Sequence, residues 1–156
     1  MPTPYADHVG HHDPLDVLRT SIHDYRSLLG TFTPAKWRTP WQPGKWTAQQ
    51  ILVHVTQWEM IFSIRVRCAV GVPNYVVQPL DQDDLMRTEG TAVDGPTAFA
   101  AFDAVRRMNL EFIAALSGDE RRMRVRHEVR GEIDVEDLLT TLAGHGVHHL
   151  KQLQGM

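Results

Sequence analysis

Only one cysteine, Cys68, stands in this chain of 156 residues, so an internal disulfide is excluded and packing alone must hold the fold. Its neighbours Val66, Ala69 and Val70 make it a small core hydrophobe rather than a reactive thiol. No apolar run reaches the roughly 20 residues of a bilayer span. Excess positive charge is missing too. A net charge of -3 and a pI near 6.3 argue against a nucleic-acid partner, whose phosphates call for a basic face. Arg121, Arg122, Arg124, Arg126 and Arg130 are dense locally, but Glu120, Glu128, Glu132 and Asp134 lie among them, the pattern of a solvated mixed-charge connection. Residues 1–14 lack a basic stretch followed by an apolar one, so no signal peptide is expected and the cytoplasm is the expected compartment.

What is present is helical periodicity. Asp13 before Pro14 is a cap followed by proline at the first helical position, and Leu15, Leu18, Ile22, Tyr25 and Leu29 continue as one apolar stripe. Thr47 and Gln50 have capping-box spacing and open a second helix to about Val70, with Ile51, His54, Val55, Trp58, Ile61 and Phe62 facing inward. Gly71 and Pro73 end it. The stretch that follows, through Gln78, Asp81, Asp83 and Asp84 to Gly95, reads as a long polar loop, of a length often found in lids or partner-binding segments. Pro96 begins a third helix with Phe99, Phe102, Val105, Phe112, Ile113 and Leu116 on its apolar side, ending at Gly118. Val125, His127 and Val129 alternate with polar residues as a short extended turn. Asp134 caps a last helix with the stripe Leu138, Leu142, His145, His149 and Leu153. The expectation is an all-α protein: an antiparallel four-helix bundle over residues 13–156, preceded by a mobile N-terminal segment over residues 1–12.

Nine histidines are the one oddity of composition. His145 and His149 are four residues apart, one turn along the same helical face, where two imidazoles can reach one ion. Both continue the inward stripe, and His54 does the same on the second helix. Buried imidazoles need partners for their ring nitrogens, and a shared cation would satisfy three at once. Pattern alone leaves a second reading open, in which each is an ordinary hydrogen-bonded core histidine, because it does not show that the two helices face each other. His148 lies about 100° around the helix from His149 and belongs to the rim. His8, His11 and His12 repeat the spacing of His145, His148 and His149 but fall in the expected mobile terminus, and His23 and His127 have no spaced partner. Glu59 is expected at the surface. Gln152, three residues past His149, could orient that ring or face solvent. No general base is assigned, since neither Gln57, Glu59 nor Asp103 has a compelling spacing.

Trp46-Thr47 at a helix start, His54 seven residues on, and a terminal helix with His145, His149 and Gln152 resemble the DinB-like superfamily. The resemblance extends from Asp13 to Leu153. It implies an up-down-down-up bundle, a divalent metal on His54, His145 and His149, and assembly as a homodimer. It also implies metal-dependent chemistry on a small-molecule substrate, as in relatives that use low-molecular-weight thiols such as bacillithiol or mycothiol. Three neutral imidazoles would leave the ion's charge uncompensated and a coordination position open, the donor set of a catalytic rather than a structural site. Zinc, nickel and iron all accept imidazole. The leading expectation is therefore a thiol S-transferase whose metal activates the thiol. The alternatives are a hydrolase whose metal activates water, or a non-catalytic metal- or ligand-binding protein of a stress response.

Overall fold

A computed structural model describes residues 2–156. Its helices are α1 (Pro14–Leu29), α2 (Pro34–Trp37), α3 (Ala48–Gly71), α4 (Gln82–Ala92), α5 (Gly95–Ala115), α6 (Gly118–Arg121) and α7 (Val135–Gln154). The strands are β1 (Val76–Val77), β2 (Arg124–His127) and β3 (Gly131–Asp134). The four long helices α1, α3, α5 and α7 form the bundle. Their starts are fixed by the side-chain caps that their sequences provide. Asp13 accepts from Leu15 N at 2.7 Å with Pro14 behind it, Thr47 and Gln50 close a capping box, and so do Asp134 and Asp137. Asp94, two residues before the expected start at Pro96, caps α5 through Thr97 N.

Cross-helix contacts give the directions. Thr56 donates to Ala98 O, Glu59 meets Arg106, and Arg67 reaches Asn109, so α3 and α5 run in parallel. Tyr25 donates to Gly146 O and Leu18 packs in the same cluster as Leu138, Leu139 and Leu142, so α1 and α7 run in parallel as well. His54, near the start of α3, meets His145 and His149, near the end of α7, and these two helices are antiparallel. The result is an up-down-down-up bundle.

A parallel α3–α5 pair needs a connection that returns along the bundle, and residues 72–94 supply it. The stretch expected as an unstructured polar loop contains β1 and the eleven-residue helix α4, started by Asp81, which accepts from Asp83 N and Asp84 N. The arginine-rich segment, expected as a mixed-charge connection with one extended turn, forms a hairpin. β2 pairs antiparallel with β3, Val125 opposite Ile133, and parallel with β1, Val76 opposite Arg126. Burial of Val77, Val125 and Ile133 against the bundle makes the three-stranded sheet worthwhile, while Val129 stays exposed at the turn. The residues expected as a mobile N-terminal segment pack on α7. A 3₁₀ turn, Ala6–His8, is followed by buried Val9, and Gly144 admits the Tyr5 backbone so closely that a Cβ there would lie 2.3 Å from Tyr5 O. Among the described residues no helix is long and apolar enough to cross a membrane.

Candidate metal centre

Helical phase brings the three expected histidines together. On α7, His145 and His149 follow Leu138 and Leu142 on the buried face, and on α3 His54 follows buried Ile51. All three are at least 93 % buried, with relative exposures of 2, 6 and 7 %. Their ring centroids are 4.5 to 5.0 Å apart, and one ligating atom from each lies within 4.8 Å of the other two. His54 Nε2 and His145 Nε2 are 3.0 Å apart. Two nitrogens bound to one tetrahedral zinc would be about 3.3 Å apart, given bonds of about 2.0 to 2.1 Å. The His54–His145 pair is thus near that separation, and the third imidazole converges on it within 4.8 Å.

Protonation favours the same use. Burial is the main cause in each case: it pushes His54 down to about 3, His149 down to about 4, and His145 well below the ordinary imidazole range. Proximity of the rings to one another adds to the effect for His54 and His145. All three are neutral at pH 7 and carry a lone pair. The tautomer of His149 is set by Gln152, whose Oε1 accepts from Nδ1 at 2.6 Å and leaves Nε2 as the acceptor nitrogen. His54 Nδ1 is buried with no hydrogen-bond partner. Two neutral imidazoles 3.0 Å apart can share a hydrogen bond, and an ion at the Nε2 pair would not reach Nδ1, so the fit to a metal rests on the convergence of the three rings.

The walls are aromatic. Trp46, just before α3, lies 4.9 Å from the His54 ring, Trp58 lies 6.1 Å from it, and Tyr5 meets His145 edge-on at 5.4 Å. A cavity of about 210 Å³ adjoins His54 and His145 and continues past Trp58, Phe62 and Leu138 to Arg65, His127 and Arg130. A larger groove of about 510 Å³ between the end of α3 and β2 contains no histidine, cysteine or carboxylate. His148 sits on the rim as expected, with its Nδ1 3.3 Å from His8 Nε2. His11, His12 and His23 are exposed and take no part.

One feature next to the triad departs from expectation. Glu59 is 1 % exposed, and its carboxylate accepts from Arg106 Nε and Nη2 at 2.9 and 2.8 Å and from Asn109 Nδ2 at 2.8 Å. Arg106 also donates to Ser21 Oγ and Leu18 O, and its Nη2 would lie 3.4 Å from a Cβ on Gly146. The pair thus ties α1, α3 and α5 together directly beneath the stretch of α7 that carries His145. A signal was present: Glu59 is in phase with Val55, Phe62 and Val66, and Arg106 with Phe102 and Ile113.

Fold and site together define a four-helix-bundle protein with a buried three-histidine cluster and an adjoining cavity. The chain belongs to the DinB superfamily, whose sequence profile matches residues 18–153. A candidate metal-dependent hydrolase of Oceanobacillus iheyensis is 22% identical over 76% of this chain and 69% of its own length. Another from Bacillus cereus is 20% identical over 86% of this chain and 78% of its own. Among solved structures, YfiT from Bacillus subtilis, described as a candidate metal-dependent hydrolase with an unusual four-helix bundle topology, superposes with a TM-score of 0.81. The match covers 90% of this chain and 82% of YfiT at 17% identity.

Proposed function

We propose that this protein is a metal-dependent enzyme in which His54, His145 and His149 hold one divalent ion that activates a small nucleophile towards a small-molecule substrate. The observation that carries this reading is the buried convergence of three neutral imidazoles, with Gln152 fixing the tautomer of one. Bound there, the ion would act as a Lewis acid and lower the pKa of an ionisable ligand such as a thiol or water. The chain's own part is to hold three lone pairs in place, to exclude bulk water with Trp46 and Trp58, and to shape the cavity that receives the substrate.

A low-molecular-weight thiol is the nucleophile we favour, which makes the reaction an S-transfer. No carboxylate lines the cavity among the described residues. A thiol brought to a cation needs no general base, because the charge ionises it, whereas hydrolysis usually draws on one. Hydrolysis is the second reading, supported by the names given to the relatives and to YfiT. A homodimer is proposed with it, for which Met60 and Ile64 on α3 and Met108 on α5 offer exposed apolar surface; sedimentation as a monomer at micromolar concentration would remove that part.

The test is metal analysis of protein purified without an affinity tag, together with turnover of electrophilic substrates with and without added thiol. We expect one equivalent of metal in the wild type, little in His149→Ala, and turnover that needs both metal and thiol. Equal metal content in the two proteins overturns the site. Turnover that needs metal but is indifferent to thiol replaces S-transfer with hydrolysis.

A further inference from the structure

The cavity beside the triad carries positive charge that no neighbouring carboxylate balances within it. Arg65 is 7 % exposed, and its guanidinium lies 5.4 Å from the ring centroids of both Trp58 and Phe62. It donates to the backbone oxygen of Gln78 and, among the described residues, has no carboxylate partner within salt-bridge distance. Arg130 comes from the β2–β3 turn. Its Nη2 is 3.6 Å from Asp137 Oδ1 and 3.4 Å from Thr3 Oγ1, and its Nε is buried without any partner. Asp137 therefore balances Arg130 only in part and from outside the cavity lining, since it also accepts from Thr3 and from Asp134 N, and Arg65 is the guanidinium left without an anion. His127 Nδ1 accepts from Val129 N and Arg130 N, so the ring proton sits on Nε2 and is free to donate. Arg130 and Arg65 are close enough to depress the His127 pKa, after burial as the main cause. Three donors thus share one cavity with the apolar surfaces of Trp58, Phe62 and Leu138 and the neutral side chains of Gln82 and Thr141.

A buried guanidinium without an anion is costly, and a guanidinium is suited to a planar oxyanion. At about 210 Å³ the space lies below the roughly 300 to 1,000 Å³ of typical ligand sites, so its occupant is small. We propose that Arg65, His127 and Arg130 form an anion cradle that selects a substrate bearing a carboxylate on an apolar or aromatic body. The body lies against Trp58 and Phe62, with the carboxylate at the arginines and the opposite end towards His54 and His145. The orientation rests on the metal reading above, but the cradle itself does not.

Phenylacetate and its uncharged isostere phenylacetamide are suitable probes, titrated calorimetrically into the metal-loaded protein with metal content measured on the same samples. We expect phenylacetate to bind at least tenfold more tightly than phenylacetamide. Arg65→Gln and Arg130→Gln should each weaken it tenfold or more at unchanged metal content, and Arg65→Lys should recover part of the loss if charge is what matters. Chelator-treated protein should still bind phenylacetate. Equal affinity for the two probes overturns the cradle. So does phenylacetate binding that disappears with the metal and survives Arg65→Gln, because the carboxylate would then sit on the ion. Protein that binds phenylacetate through the arginines but holds no metal keeps the cradle and overturns the metal reading instead.

Discussion

Replacing Glu59 by glutamine tests how the metal-bearing stretch of α7 is supported. The exchange keeps shape and removes charge. In the native protein the Glu59 carboxylate accepts two bonds from Arg106 and one from Asn109, with both charged side chains at most 1 % exposed. In Glu59→Gln one oxygen becomes an amide donor that faces an Arg106 or Asn109 donor, and the guanidinium keeps only neutral acceptors, the remaining Gln oxygen, Ser21 Oγ and Leu18 O. Breaking a buried pair from one side costs about 3–5 kcal/mol, against a total stability of about 5–15 kcal/mol for a domain. We expect that loss in urea unfolding followed by circular dichroism, measured on chelator-treated protein so that bound metal does not mask it. The double variant Glu59→Met/Arg106→Met removes both charges and should recover much of the loss. It stays short of full recovery because Asn109 Nδ2 then lacks its acceptor, at about 1–3 kcal/mol. A cost below about 1 kcal/mol for Glu59→Gln, or a double variant as unstable as the sum of its singles, would refute the account.

Acid should unfold the metal-free protein early. The three histidines titrate near 6.5 when unfolded and, in the fold, near 3 for His54, near 4 for His149 and well below the usual range for His145. As pH falls below 6.5 the unfolded chain takes up protons that the folded one refuses, so stability is lost from 6.5 downwards, by about 1.4 kcal/mol per pH unit for each histidine. At pH 5 this amounts to about 2 kcal/mol per ring; a flat melting temperature between pH 7 and 5 contradicts the burial of neutral imidazoles. Gln152→Ala should weaken metal affinity about 10- to 100-fold while leaving the fold intact, because the Nδ1–H of His149 loses its acceptor. Competition with a chromogenic chelator measures it, and unchanged affinity would make Gln152 incidental. Gly144→Ala places a methyl group 2.3 Å from Tyr5 O and should lift the N-terminal segment from α7. Limited proteolysis should then cut within residues 2–12 faster than in the wild type, and equal rates would show that the segment accommodates the methyl group.

Capping and periodicity made the bundle legible because both are local. Asp13, Thr47 and Asp134 each satisfy amides within three residues, and an i, i+4 histidine pair shares a face in any α-helix. Asp81 was as good a cap as these, but the polar stretch after it hid α4, since a helix with little buried surface leaves a weak apolar stripe. The sheet escaped because β1 is two residues long and pairs with β2 across nearly fifty residues of chain, an association that no local pattern encodes. Glu59 was placed at the surface by residue type, whereas it and Arg106 are each tolerated inside only because the other meets it there.

The sequence by itself determined which helix faces are apolar, where the long helices begin, and that His54, His145 and His149 lie on inward faces. These follow from bonds and side-chain directions within a few residues. Tertiary structure alone decided that α3 and α7 run antiparallel with those faces opposed, so that three imidazoles meet within 4.8 Å. It also decided that a hairpin delivers His127 and Arg130 to the cavity Arg65 enters from α3. Such meetings join residues tens of positions apart, and the free energy that fixes them is the burial shared by the whole bundle.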